Sequence, residues 1–599
     1  MAAEHRATPS RRRSPGHRPA IDGLRAVAVA AVLLYHGGVS WLPGGFLGVD
    51  VFFAVSGYLI CSLLVEEWSQ RGAIDLWAFW RRRARRLLPA LYALLFAVMV
   101  VAPVVARDTV TQLRGDVPAA FAYMSNWWQV LHHQSYFTTM GRPPLLQHLW
   151  SLAVEEQFYL VFPVVLAFVL RFTRGRRDLV AVGALVLGLL STAAMALGWR
   201  SDVDPSHLYY RTDTRAVALC MGVALGALAP LFRQRATVTR RARQVIDVAG
   251  AAGLVVLALL MHGLTDFSSR LYRGGFAVAA AASVLVIVAA ARRETRLARV
   301  LGARPLEWLG SRSYAVYLWH WPVFVLTRPH LDIALSGWRL LALRTSLTLV
   351  LAELSWRLVE QPWRTGSAQR AWRSLTVDSR RRVAATAFAA IVVVAVSLAA
   401  VDAPPDILVA SGAQPAGALA PVPTTVPAPA PAPAPAPVDP PPTNVLGVGD
   451  SVMLAARPAL ETAFPGRISV DAAVGRQVDA GLDILQRYKD SGALDHLAAV
   501  VVDLGTNGPM SDAQFDRLVQ ILSGARRVVV LNVRVPRRWE AQSNDAITRG
   551  VTRYPNIVLA DWHSIAGTRG VLGRDGVHPT PSGAGAYSQL VAETVAAPA

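Results

Sequence analysis

Long apolar runs with short polar breaks fill the first two thirds of the chain, at residues 21–37, 46–65, 87–106, 149–170, 179–198, 214–231, 246–263, 273–291, 312–328, 338–358 and 383–401. Each approaches the ~20 residues that a helix needs to cross ~30 Å of hydrocarbon, so the pattern predicts about eleven membrane spans. The breaks are asymmetric. Arginines cluster at Arg11–Arg13, Arg81–Arg86, Arg171–Arg177, Arg233–Arg243 and Arg292–Arg304. With the N-terminus inside, the loops 66–86, 171–178, 232–245, 292–311 and 359–382 all fall on the cytoplasmic side, as positive charge requires. The first run has a basic leader but no small-residue cleavage site, since Gly44-Gly45-Phe46 and another apolar stretch follow it. It is expected to stay as a membrane helix.

The periodicity changes after the last run. Residues 402–443 form a Pro/Ala tract that cannot pack a core and is expected to act as a semi-rigid spacer. Beyond it, β-type runs at Asn444–Val448, Ala499–Leu504 and Arg527–Val533 alternate with helical patterns such as Val452–Ala463 and Gly481–Lys489. Such alternation predicts a small α/β domain with a parallel sheet. An odd span count sends that domain outside. The expected layout is a basic cytoplasmic tail (1–17), a membrane bundle of about ten spans (18–365), a cytoplasmic segment with one more span (366–401), the spacer (402–443) and an extracytoplasmic domain (444–599). The stretch from His132 to Pro144 is expected to be the largest external loop of the bundle.

Composition narrows the classes. At 599 residues, 53% hydrophobic and 17% charged, the chain is too apolar for an ordinary soluble enzyme. The net charge of +20 lies in the clusters between spans rather than on one continuous face, which argues against nucleic acid as a partner. Cys61 and Cys220 sit in separate apolar runs without metal-type spacing, so neither a disulfide framework nor a metal site is expected. High Arg, Ala and Val usage fits a high-GC bacterium, and the spans place the protein in its plasma membrane.

Ionisable groups are costly inside a bilayer, which makes Arg25, His36, Asp50, Ser56, Glu155, Glu156, Tyr314, Tyr317 and His320 candidates for function. Singly, each has an ordinary alternative: Arg25 can snorkel, Asp50 can cap or pair, and His320 can pack between Trp319 and Trp321. Their phrases occur together, however. Ile21-Asp-Gly-Leu-Arg25, Tyr35-His36, Gly45-Phe-Leu-Gly-Val-Asp50-Val-Phe-Phe and Ser56-Gly-Tyr precede Arg83-Ala-Arg-Arg86-Leu-Leu-Pro89, His148-Leu-Trp-Ser151-Leu-Ala-Val-Glu155-Glu156-Gln157-Phe-Tyr159 and Ser313-Tyr314-Ala-Val-Tyr317-Leu-Trp-His320-Trp-Pro322. Over residues 18–365 this resembles the membrane acyltransferase-3 family.

The resemblance implies transfer of an acyl group, usually acetyl from cytoplasmic acetyl-CoA, to carbohydrate-containing acceptors. It makes His36 the essential base or acyl-handling residue, a role that suits imidazole. It maps a CoA-binding pair onto Arg83 and Arg86, whose guanidinium forks match phosphate oxygens. Alternatively, the two arginines only enforce topology. Arg25, Asp50, Glu155, Tyr314 and His320 would support the membrane site. His36 lies ~27 Å along its helix from the basic flank, at 1.5 Å per residue. A channel that lets the thioester approach His36 is therefore expected.

In the external domain Gly449-Asp450-Ser451 follows the first strand, so Ser451 is expected at a strand-to-helix turn where an oxyanion is favoured. Asp575-Gly-Val-His578 offers a base and its orienting carboxylate, while Gly475 and Gly505-Thr-Asn507 can supply oxyanion donors. The order Ser, Gly, Asn, His over about 444–595 is similar to the SGNH (GDSL-like) hydrolase family. That implies a three-layer α/β fold, Ser451 as nucleophile, His578 as general base and Asp575 as its orienter. It also implies an oxyanion hole of the Ser451 and Gly475 N–H groups and the Asn507 side chain. Asp450 is expected to hold the turn. His563 lacks the chain-end Asp-x-x-His arrangement and is the weaker base.

Together these features predict an O-acyl, most simply O-acetyl, transferase that takes an acyl group from cytoplasmic acyl-CoA to hydroxyls of an extracytoplasmic glycan or glycolipid, with a relay through Ser451. Peptidoglycan, an O-polysaccharide, an exopolysaccharide and a glycolipid all remain open as acceptors. One rival makes the external domain an esterase or a carbohydrate-binding module beside a bundle that acts alone. Another, a secondary transporter, calls for broken helices and repeat symmetry that the sequence does not display.

Overall fold

The computed structural model describes residues 18–132, 134, 136, 142–200, 205–233, 239–266, 268–329, 332–382, 385–386, 444–473, 476–535, 537, 539–573 and 576–597. The spacer, the predicted span at 383–401 save two residues, Gly475 and Asp575 lie outside the described residues.

The N-terminal part is helical. Among the described residues seven helices are long and apolar enough to cross a membrane: Pro19–His36, Gly45–Arg71, Leu76–Val105, Leu149–Phe172, Arg177–Gly198, Arg240–Gly263 and Leu271–Ala290. The runs at 214–231, 312–328 and 338–358 also carry helices, Val217–Arg233, Ser313–Val325 and Gly337–Ser355. Outward-facing Leu160, Phe168, Phe172, Leu187 and Leu189 are exposed, as a lipid-facing belt demands. Two short helices that the pattern did not predict, Val110–Phe121 and Ser125–Leu131, follow the third long helix.

One expectation is corrected. Arg83 and Arg86 do not lie in a loop, because helix Leu76–Val105 begins before them. Asp75 caps it by accepting from the Ala78 N–H at 2.9 Å, and arginine is a good helix former, so the helix runs through the whole cluster. The true break is short, beginning at Gly72, which ends the preceding helix with φ 66°.

Close helix contacts in the bundle depend on small residues. Helices Gly48–Arg71 and Val217–Arg233 approach so nearly that a Cβ on Gly57 would lie 2.2 Å from the Leu219 carbonyl oxygen, and one on Gly222 2.2 Å from that of Ala54. Lipid tails give no hydrophobic drive between helices, so this backbone approach supplies the packing.

The C-terminal part is an α/β domain built on one parallel sheet of β1 (Val445–Gly449), β2 (Ile468–Ala472), β3 (Ala499–Asp503), β4 (Val528–Leu531) and β5 (Ile557–Ala560), in the order β2-β1-β3-β4-β5. Nearly every strand residue is buried, as expected of a sheet covered by helices on both faces. Val445, Val501 and Val529 pack with helices Ser451–Ala463 and Pro581–Ala596, whereas Val448, Val500 and Val530 pack with Val478–Asp490 and Asp512–Ile521. β2 and β5 were not predicted. Ile468–Ala472 contains Ser469 and Asp471, and Ile557–Ala560 is closed in by Asn556 and Asp561, so neither stands out as an apolar run.

Candidate functional site

His36 ends the first helix, and its ring is held on both nitrogens. Nδ1 lies 3.1 Å from His320 Nε2, and Nε2 lies 3.2 Å from the Tyr136 hydroxyl. The tautomers follow from the next contact. His320 Nδ1 sits 2.6 Å from the Tyr317 carbonyl oxygen, so it must carry the proton, and His320 Nε2 is then an acceptor. His36 Nδ1–H donates to it, and the His36 Nε2 lone pair is left facing the Tyr136 O–H. That is the arrangement of a base beside a hydroxyl. His148 adjoins the pair, its ring centroid 5.6 Å from that of His320 and its Nε2 3.0 Å from the Leu318 carbonyl oxygen.

A cavity lies inside the bundle. Arg25, Arg83, Arg86, Glu155 and Tyr314 line it together with Ser56, Tyr159, Ser151 and Tyr317. Glu155 accepts hydrogen bonds from Ser56 and Tyr159, and Tyr159 also stacks under the Arg83 guanidinium, 5.2 Å from the ring centroid. Tyr314 donates to the Leu87 carbonyl oxygen at 2.9 Å, which fixes the helix carrying the arginines. At the other end the Ser151 and Tyr317 hydroxyls are 2.6 Å apart. His320 contacts both the carbonyl oxygen of cavity-lining Tyr317 and the His36 ring.

Asp50 pairs rather than caps. Its Oδ2 lies 3.1 Å from Arg215 Nη2, and both side chains are essentially without solvent. The guanidinium is boxed by Phe276, Tyr209 and Trp150, at 4.0, 4.6 and 5.6 Å from the ring centroids. Tyr209 in turn packs on Tyr136, centroid to centroid 4.7 Å. A buried charge pair is therefore the far support of the aromatic wall that presents a hydroxyl to His36.

In the α/β domain Ser451 opens the helix after β1, and its Oγ is buried without a hydrogen-bond partner among the described residues. Asp450 organises the turn. Its Oδ1 accepts from the Val452 N–H at 3.0 Å and its Oδ2 from the Thr506 N–H at 3.2 Å. The second bond ties the Ser451 turn to the loop carrying Asn507, where Gly505 at φ 118° supplies a conformation that side chains resist. Asn507 is buried, with both side-chain amide atoms unpartnered among the described residues. A donor held ready in this way suits an oxyanion.

His578 lies in the turn before the last helix, where its carbonyl accepts from the Gly573 N–H at 2.8 Å. Tyr587 on that helix donates to Asp503 Oδ2 at 2.6 Å, which pins the helix to the end of β3. Burial pushes the Asp450 carboxyl up to about 6, against the pull of its two N–H donors and of His578. Asp503, beside it, is raised well above the usual carboxylate range by burial and by the Asp450 charge.

Sequence reasoning missed Tyr136, Arg215, Tyr209 and Asp503, and gave no role to His148. Arg215 was findable as an ionisable residue inside a predicted span. Tyr136, in a stretch expected to be an external loop, carried no signal.

Comparison with known proteins bears on the whole chain. The peptidoglycan O-acetyltransferase OatA of Listeria monocytogenes is 34% identical over 96% of this chain and 97% of its own length. The O-acetyltransferase OatA of Staphylococcus aureus is 33% identical over 97% and 96%. Among solved structures, the C-terminal catalytic domain of Streptococcus pneumoniae OatA covers 25% of this chain and 92% of its own at 24% identity, with a TM-score of 0.24. Residues 18–357, which hold the cavity and the His36 cluster, match the acyltransferase domain model, and the chain belongs to that acyltransferase family.

Proposed function

We propose that the chain takes an acetyl group from acetyl-CoA on the cytoplasmic side, passes it through the bundle and transfers it by way of Ser451 to hydroxyls of peptidoglycan outside the membrane. The observation that carries this reading is the cavity, with three arginines along it and, at its far end, Tyr317 one side chain from His36. Arg83 and Arg86 hold the phosphates of the donor, for which guanidinium forks are suited. His36 Nε2 removes the proton of the attacking hydroxyl, for which the adjacent Tyr136 O–H is the first candidate, and gives it to the departing CoA thiolate as the thioester C–S bond breaks. His320 orients the ring and accepts hydrogen-bond density from Nδ1–H as positive charge grows on His36.

Outside, Ser451 Oγ attacks the acetyl carbonyl while His578 takes the hydroxyl proton, with Asp575 orienting the imidazole. The tetrahedral oxyanion is met by the Ser451 and Gly475 N–H groups and the Asn507 amide. Collapse expels the oxygen that carried the acetyl group, which takes the proton from His578, and leaves acetyl-Ser451. A glycan hydroxyl then attacks, losing its proton to His578, and the serine leaves with that proton. The acceptor rests on the Listeria relative, which is a peptidoglycan O-acetyltransferase by name. Basic loops argue for a cytoplasmic N-terminus and an external C-terminal domain.

The test is label transfer from acetyl-labelled CoA in sealed inside-out vesicles carrying endogenous glycan. His36→Ala is expected to abolish labelling of glycan, and Ser451→Ala to block glycan product while the bundle still consumes donor. Full glycan labelling by Ser451→Ala would make the external domain an accessory esterase.

A further inference from the structure

All five strands run parallel, so their carboxyl ends share one edge of the sheet, where open α/β folds bind ligands. Ser451 follows β1 and Asn507 follows β3. Further along the same edge, Arg534 comes three residues after β4 and His563 three residues after β5. With neighbouring strands ~4.8 Å apart, the edge from β1 to β5 extends ~14 Å, longer than a small ester fills.

The far end of this edge is built from backbone-anchored polar side chains. Glu540 Oε2 accepts from the Val535 N–H at 2.6 Å. Asn532 Oδ1 accepts from the His563 N–H at 2.7 Å, and Asn532 Nδ2 donates to Asp561 at 2.8 Å. Buried Trp539 donates from Nε1 to the Gly505 carbonyl oxygen at 3.2 Å, which couples this loop directly to the one bearing Asn507. The functional ends converge: His563 Nε2 lies 2.8 Å from Arg534 Nη1 and 3.2 Å from Glu540 Oε1. Their side chains are 33%, 39% and 24% exposed respectively, so a ligand can reach them. Arg534 spends only Nη1 on these contacts; its Nε and Nη2 edge has no partner among the described residues.

We infer that Arg534, with Glu540 and His563, forms an acceptor subsite that binds a carboxylate-bearing stretch of the glycan beside the sugar reacting at Ser451. The guanidinium fork takes the carboxylate in a bidentate grip, and Glu540 and His563 accept from or donate to neighbouring hydroxyl and amide groups. This rests on the reading of the external domain as acting on a glycan.

Binding is measured without donor, using the full chain in detergent and fluorescent, uncross-linked peptidoglycan strands. The strands are compared before and after their carboxylates are converted to amides. The wild type is expected to bind amidated strands at least tenfold more weakly, and Arg534→Gln to bind both kinds equally weakly. Arg534→Lys, which keeps charge but loses the fork, is expected to fall between. Equal wild-type binding to free and amidated strands overturns the subsite, and needs no variant to fold. A wild type that discriminates carboxylates yet only hydrolyses acetyl esters, making no acetylated glycan, keeps the subsite and defeats the transferase reading instead.

Discussion

Two side chains of the outer domain are set apart by what surrounds them. Asn507 is buried with its amide unsatisfied by protein, and such a group is costly unless a ligand uses it. Asn507→Ala is therefore expected to lower Ser451-dependent acetyl transfer by about 10²–10³ in kcat with little change in KM, since the lost donor acts on the oxyanion only. Steady-state kinetics with a small acetyl ester donor check it. Asp450 behaves differently because its carboxyl is held up at about 6 by burial. A raised acid favours the fold below its unfolded value near 4, and that contribution is lost as pH climbs through about 6. Global stability of the outer domain should thus fall between pH 4 and 7, and Asp450→Asn should flatten the slope. Denaturant midpoints of the full chain, followed by a probe in the outer domain at each pH, test this.

At the scale of elements, the bundle depends on paired features that no single helix reveals. Asp50 and Arg215 belong to different helices, and removing one leaves the other buried and unmatched. Asp50→Ala is expected to cost about 3–5 kcal/mol and to unfold or misassemble much of the protein, whereas Asp50→Leu combined with Arg215→Met should recover most of the folded yield. Gel-filtration profiles in detergent compare them. If the double variant folds but transfers no acetyl, the pair also sets the Tyr209–Tyr136 wall that faces His36. Helix positions were legible from the sequence because hydropathy reports burial in lipid, and ten apolar runs do hold helices. The arginine cluster misled, since charge marks topology and says nothing about where a helix starts; Asp75 and the αL glycine at Gly72 were the overlooked punctuation. β1, β3 and β4 were visible as β-branched runs, but β2 was too polar and β5 too closely flanked by polar residues to stand out.

Across the whole molecule, the two sites have opposite legibility. Ser451, Asn507 and His578 span more than a hundred residues, yet the sequence proposes them because each sits in a short phrase to which the resemblance assigns a role. The Asp450–Thr506 bond then joins two of those phrases physically. The membrane site is assembled from groups scattered over several helices, and motif phrases identified His36 and His320 without saying that their nitrogens meet. Tyr136 became visible only through its distance to His36. The proposed relay requires acetyl to pass from the His36 centre to Ser451. The decisive measurement is the mass of the tryptic peptide containing Ser451 after acetyl-CoA is supplied only to the cytoplasmic face of sealed vesicles lacking acceptor glycan. A gain of one acetyl group on Ser451 in the wild type and none in His36→Ala is the predicted result; equal acetylation of Ser451 in both would contradict the relay.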